Sequence, residues 1–182
     1  MQTTVLRQPK IRSKTVTFRI DPGIESALEQ DSRRLGTNLN GLVAQIFRRY
    51  ITWGRYADQL KLFPVSKELL RELFASVDKK TVVEIGTRLA QSLGRDHILF
   101  LFQQVSLNTV IRYLDIWRSH FDSSQHTLEG KTHFYTLHHD VNLNFSVFIK
   151  EYISTMIQST IPRPVRFETI SPSSLTFSFE EA

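Results

Sequence analysis

From Thr15 to Ile20 the chain alternates, with Val16, Phe18 and Ile20 apolar and Thr15, Thr17 and Arg19 polar. A two-residue period is that of a β-strand with one buried face. Asp21-Pro22-Gly23 ends it, because Asp is a good N-cap and Pro suits the first helical position. The spacing of Ile24, Ala27, Leu28 and Leu35 then predicts a helix over about Pro22–Leu35, and Gly36 is placed to end it in the left-handed conformation. Asn38 is positioned to cap a second helix, about Leu39–Trp53. Its apolar stripe is Leu39, Leu42, Val43, Ile46, Phe47, Tyr50 and Ile51. Gly54 follows this helix, and residues 55–65 read as a linker.

Beyond the linker the period is first helical. Ser66 and Asp78 are placed to cap two helices, the first with Leu69, Leu70, Leu73, Phe74 and Val77. The second carries Val82, Ile85 and Leu89 and ends at Leu93-Gly94. The run Ile98–Phe102 is buried in type, and its period fits helix or strand; it is assigned to helix. Ser106 is placed to cap a further helix with Val110, Ile111, Leu114 and Trp117. After His120 the pattern changes: 121–128 and 131–138 flank Glu129-Gly130 as a hairpin. A helix starting at Asn142 or Asn144 runs through Phe145, Phe148, Ile149, Tyr152, Ile153, Met156 and Ile157 to Pro162. Strands follow at Val165–Ile170 and Leu175–Phe179. The expected fold class is therefore α+β: a strand-helix-helix unit, a helical segment, and a β-β-α-β-β unit with an antiparallel sheet.

Composition is ordinary for a folded chain of 182 residues, with 41% hydrophobic and 23% charged positions. Cysteine is absent, which excludes disulfides and thiolate metal sites. No apolar run approaches the ~18 residues needed to span a bilayer, and residues 1–14 lack the apolar stretch of a secretory signal. A cytoplasmic protein without a membrane partner is expected. The net charge of +5 is unevenly placed. Residues 1–63 carry eleven Lys and Arg against five Asp and Glu, and residues 64–182 carry twelve against thirteen. A basic excess confined to the first third suits either a polyanion partner or a solvated basic face.

The strand at 15–20 has one apolar face and no partner strand in its own unit, so its edges need pairing. Two copies meet that need if their strands pair antiparallel about a twofold axis with the four helices beneath. The expected dimer core is Val16, Phe18, Ile20, Leu42, Val43, Ile46, Phe47 and Tyr50. The outward row, Thr15, Thr17 and Arg19, would then lie on a two-stranded ribbon, which fits the DNA major groove; Arg can bind guanine through two hydrogen bonds. Arg12 and Lys14 are expected phosphate contacts by charge, and Asn38, Leu39 and Asn40 by their place at a helix start. Lys14–Ile20, Pro22–Leu35, the turn Gly36–Asn40 and Leu42–Tyr50 together resemble the ribbon-helix-helix family of DNA-binding proteins. The resemblance implies an obligate intertwined dimer, base reading by Thr15, Thr17 and Arg19, phosphate contact at Asn38 and Asn40, and a transcriptional repressor or regulator. Gly41, early in the second helix, departs from good helix composition. The competing reading of the same residues is a dimerisation module without a DNA role.

The expected organisation is a basic arm at 1–13, a DNA-binding and dimerisation domain at 14–54, the linker at 55–65, and an α+β effector or oligomerisation domain at 66–182. An antitoxin-like protein that holds a partner protein, or a regulator sensing a small ligand or metal, are the alternatives. Strand parity allows His133 and His139 to share a face opposite His126, one possible three-ligand set. No compact metal motif supports it, so no cofactor is expected and hydrogen-bonded histidines are preferred. No nucleophile with an activating base and no phosphate-cradling loop is found. His138-His139-Asp140 reads as readily as a capped turn as a catalytic pair, and an enzyme is not expected.

Overall fold

Short-range capping chemistry sets the N-terminal elements. The Asp21 carboxylate accepts the Gly23 N–H at 2.7 Å and starts α1 (Pro22–Arg34). Gly36, at φ 63°, turns the chain in the left-handed region beyond it. The Asn38 side chain accepts the Gly41 N–H at 2.8 Å and starts α2 (Leu39–Arg49). This cap explains Gly41. A Cβ there would stand 2.7 Å from Thr37 Oγ1 and 3.3 Å from Asn38 Oδ1, pressing on the capping turn. The helix does not stop at Trp53. It continues through a π-helical turn (Tyr50–Gly54) into α3 (Arg55–Ala57), so Gly54 lies inside the helical run and the first residues of the expected linker are helical. Thr15–Ile20 forms no strand within the chain.

The computed structural model describes residues 14–57, 60, 62 and 64–181. The expected arm at 1–13, most of the segment between Ala57 and Pro64, and Arg12 lie outside the described residues. The chain is α+β and divides into two units, one ending at Arg55 and one beginning at Tyr56.

The second unit opens with α4 (Lys67–Ala75), capped by Ser66, and α5 (Lys79–Leu89), capped by Asp78. Gly94 was expected to end α5. Instead a π-helical turn (Ala90–Gly94) carries the helix on into α6 (Arg95–Phe102). The glycines on this run serve close packing. A Cβ at Gly94 would meet Met156 Cγ at 2.7 Å, and one at Gly86 would meet the Phe148 carbonyl at 3.0 Å. The run Ile98–Phe102 is helical, and Gln103, at φ 58°, ends it. α7 (Leu107–Arg118) begins with a reciprocal cap between Ser106 and Thr109.

The hairpin follows as β1 (Ser123–Glu129) and β2 (Thr132–His138), turning at Gly130 (φ 64°). Asn142, not Asn144, caps α8 (Leu143–Thr160), accepting the Phe145 N–H at 3.0 Å. Asn144 instead donates to the Phe74 and Val77 carbonyls, tying α8 to the end of α4. β3 (Arg166–Ile170) and β4 (Ser174–Glu180) complete one antiparallel sheet in the order β1-β2-β4-β3. Register aligns rings across it. His126 stacks on Tyr135 at 4.0 Å between centroids, Tyr135 on Phe177 at 5.0 Å, and His133 on Phe179 at 5.3 Å. The same face packs with Ile149, Ile153, Met156 and Ile157 of α8 and with Val110 and Leu114 of α7 into one buried core. Among the described residues no helix is long and apolar enough to cross a membrane.

Candidate nucleic-acid interface

The first unit leaves its apolar side open. Val16 is 61% exposed, Phe18 59% and Ile20 48%, and Ile24, Leu35, Ile46, Phe47, Tyr50 and Ile51 are exposed as well. Among the described residues of this unit only Ser32 and Leu42 are buried. Of the expected dimer core, then, the chain by itself buries Leu42 and half-buries Val43. Phe18 meets Phe47 edge-on at 5.6 Å between centroids, bringing one ring of the 15–20 row against α2. A unit with one buried apolar side chain cannot offset the conformational entropy of ordering some forty residues, at roughly 1–2 kcal/mol each for the backbone. Its exposed side chains call for a cover.

The polar row, Thr15, Thr17 and Arg19, is exposed beside them. Three cations of the unit are engaged within it: Arg33 pairs with Glu29 at 3.5 Å, and Arg34 with Asp31 at 2.9 Å. Arg48 donates to the Ala44 carbonyl at 3.2 Å. At the start of α2 the Asn38 side chain is occupied as a cap. The Leu39 and Asn40 N–H groups lie ahead of the first intrahelical bond, from Leu42 N–H to Asn38 O. Asn38 thus orders the turn, and the donors left open at this helix start are backbone groups.

In the second unit the three candidate histidines do not converge. His126 and His133 meet, with His126 Nε2 2.8 Å from His133 Nδ1. The outer nitrogens face carboxylates: His126 Nδ1 lies 3.0 Å from Asp115 Oδ1, and His133 Nε2 lies 3.0 Å from Glu181 Oε1. His139 lies beyond the end of β2, because the chain turns out of the strand at Asp140 (φ 47°). Its Nε2 lies 2.9 Å from Ser146 Oγ, and its Nδ1 accepts the Val141 N–H at 3.1 Å. Burial holds this imidazole down at about 4, against the opposing pull of Asp122 and Asp140. Among the described residues no three metal-ligating side chains are grouped to hold an ion. Nor do His139 and Asp140 pair: both His139 nitrogens are engaged elsewhere, and the Asp140 carboxylate lies 3.9 Å from the Arg71 guanidinium. Asp115 and Glu181 escaped the sequence reading. They come from α7 and from the residue after β4, and nothing local in the sequence marks either as a histidine partner.

A cavity of about 480 Å³ opens beside α7 and α8, lined mainly by Leu70, Trp117, Phe121, Phe145 and Phe148, with Lys67 and Asp122 paired to each other in its wall. Comparison with known proteins finds no family model, no curated protein and no solved structure that matches this chain.

Proposed function

We propose that the protein is a sequence-specific DNA-binding transcriptional regulator, a repressor, that acts as a homodimer. The observation that carries this reading is the pairing of two rows on one unpaired segment: apolar Val16, Phe18 and Ile20, exposed in the single chain, and polar Thr15, Thr17 and Arg19 between them. Antiparallel pairing with a second copy covers the first row and satisfies the strand edges. It leaves the second row on a ribbon of the size the major groove admits. Lys14 and the backbone N–H groups at Leu39 and Asn40 then position the ribbon on phosphates. The second unit, which closes its own core, takes the effector or oligomerisation role.

The test is selection of binding sites from a random duplex pool, with sedimentation of the same samples. One twofold-symmetric sequence is expected to be enriched by the dimer. Arg19→Ala is expected to remove the enrichment and keep the dimer. Binding should weaken with salt by about 0.9 in log–log slope per phosphate contacted. A monomer, or enrichment unchanged by Arg19→Ala, overturns the proposal.

A further inference from the structure

We infer that the second unit contains a proton-binding site, in which the sheet histidines His126 and His133 share one excess proton between two carboxylates and thereby clasp α7 to the sheet and to the chain beyond β4. Four groups lie in a row, Asp115, His126, His133 and Glu181, joined by contacts of 3.0, 2.8 and 3.0 Å. The imidazoles are largely shielded: the His126 side chain is 15% exposed and that of His133 5%. Tyr135 covers the face of His126, and Phe179 that of His133.

Counting protons defines the site. Each of the three contacts needs one hydrogen, and an ionised carboxylate only accepts. Two neutral imidazoles supply two hydrogens. They leave one contact with two lone pairs opposed, either nitrogen against nitrogen or nitrogen against carboxylate. Two imidazolium rings supply four, and set two N–H groups against each other at the 2.8 Å contact. Only the state with one proton beyond the neutral pair completes all three bonds.

The surrounding charges place the excess proton toward His133. Arg118 Nε lies 2.8 Å from Asp115 Oδ1, and its charge works against a proton on His126. Arg163 shares a surface hollow with Glu181. The Tyr135 hydroxyl is buried without a hydrogen-bond partner among the described residues, and burial together with Asp115 pushes its ionisation far upward, so it brings no charge. Burial holds the His126 imidazole below the ordinary histidine range, with Asp115 opposing. This favours a neutral His126 that donates from Nδ1 to Asp115 and accepts at Nε2 from His133. His133 then donates from both nitrogens, to His126 and to Glu181. The pair titrates as one system with two separated steps. The clasp is closed between them and opens on either side, which gives the unit a pH window.

The test is nitrogen NMR of the full-length protein labelled in its imidazoles, titrated from about pH 4 to pH 9. The expected result is a coupling between His126 Nε2 and His133 Nδ1 across the hydrogen bond, present between two proton steps more than about one pH unit apart and lost beyond both. Glu181→Gln supplies a sharper readout. The amide N–H satisfies His133 Nε2 without a proton, so the excess proton should leave at a pH lower by about one unit or more, a tenfold loss of proton affinity, with the backbone spectrum unchanged. Two independent steps, each near the ordinary ~6.5, or an unmoved step in Glu181→Gln, overturn the inference. Stoichiometric Zn²⁺ that abolishes the coupling at micromolar concentration also overturns it, by showing the pair to be a metal site.

Discussion

Both units of this chain are built from amphipathic helices with well-formed caps, yet only the second closes a buried core among its described residues. In the second unit Tyr135, Phe177, Ile149, Ile153 and Ile157 are fully shielded, and the sheet face, α7 and α8 close on one another. In the first, Phe18, Phe47 and Tyr50 remain exposed, and among the described residues Leu42 is the one buried apolar side chain. Good caps and a wide apolar stripe therefore do not make an element self-sufficient. A helix gains most of its stability from what its apolar face packs against. The first unit buries few of its own apolar side chains and leaves the rest exposed.

The largest effect expected from this contrast comes from Phe18→Asp. A charge in the apolar row should dissociate the dimer and unfold residues 14–55 while the second unit keeps its melting temperature. Sedimentation and amide exchange read the two units separately. If both units respond together, the contrast fails. In wild type, melting of the first unit should depend on protein concentration and that of the second should not. Phe177→Ala probes the other side. Removing a fully buried ring should cost about 3–5 kcal/mol in the second unit by denaturant unfolding, with dimerisation through residues 14–55 retained.

Acid should also act on the second unit. His139 is held at about 4 in the folded chain, against ~6.5 when unfolded. Between these values the unfolded state binds the proton and the folded state does not. The His139 contribution is therefore full above about pH 6.5 and falls as the pH drops toward 4, by roughly 3 kcal/mol at most. His139→Asn should flatten the curve by the His139 share, and an unchanged slope would show that His139 is not the cause. On the first unit, Arg19→Ala should reduce discrimination between DNA sites by about 1–3 kcal/mol. Measured dissociation constants for the selected site and a scrambled one give this difference directly. The smallest effect is that of Asn38→Ala, which loses the cap on Gly41 N–H and should cost about 1 kcal/mol of stability. It should weaken binding to all DNA sequences alike, since the backbone donors at Leu39 and Asn40 lose their ordered turn.

Much of the local structure was legible because caps and parity act over a few residues. Asp21, Asn38, Ser66, Asp78, Ser106 and Asn142 each start the helix their position implied. The four strands of the second unit also lie where alternation and the Glu129-Gly130 turn put them. Glycine was the residue misread. At Gly54 and Gly94 it looked like a stop, and it sits in a continuing helical run at both. Absence of a Cβ serves a left-handed turn or a close contact equally well, and at Gly94 the contact is Met156, sixty-two positions away in the chain. The histidines failed for a related reason. Parity was applied to put His133 and His139 on one face, but His139 lies past the strand end, where parity no longer applies.

The sequence by itself determined where most helices start, where the four strands of the second unit lie, that cysteine chemistry is absent, and where the basic excess lies. Each of these follows from residue type and short-range spacing. Only the tertiary structure decided that α5 continues past Gly94 against α8, that Asp115 and Glu181 bracket a histidine pair, and that Leu42 is the one apolar side chain the first unit buries among its described residues. Those outcomes depend on strand register and on contacts between residues far apart in the chain, and no local pattern encodes them.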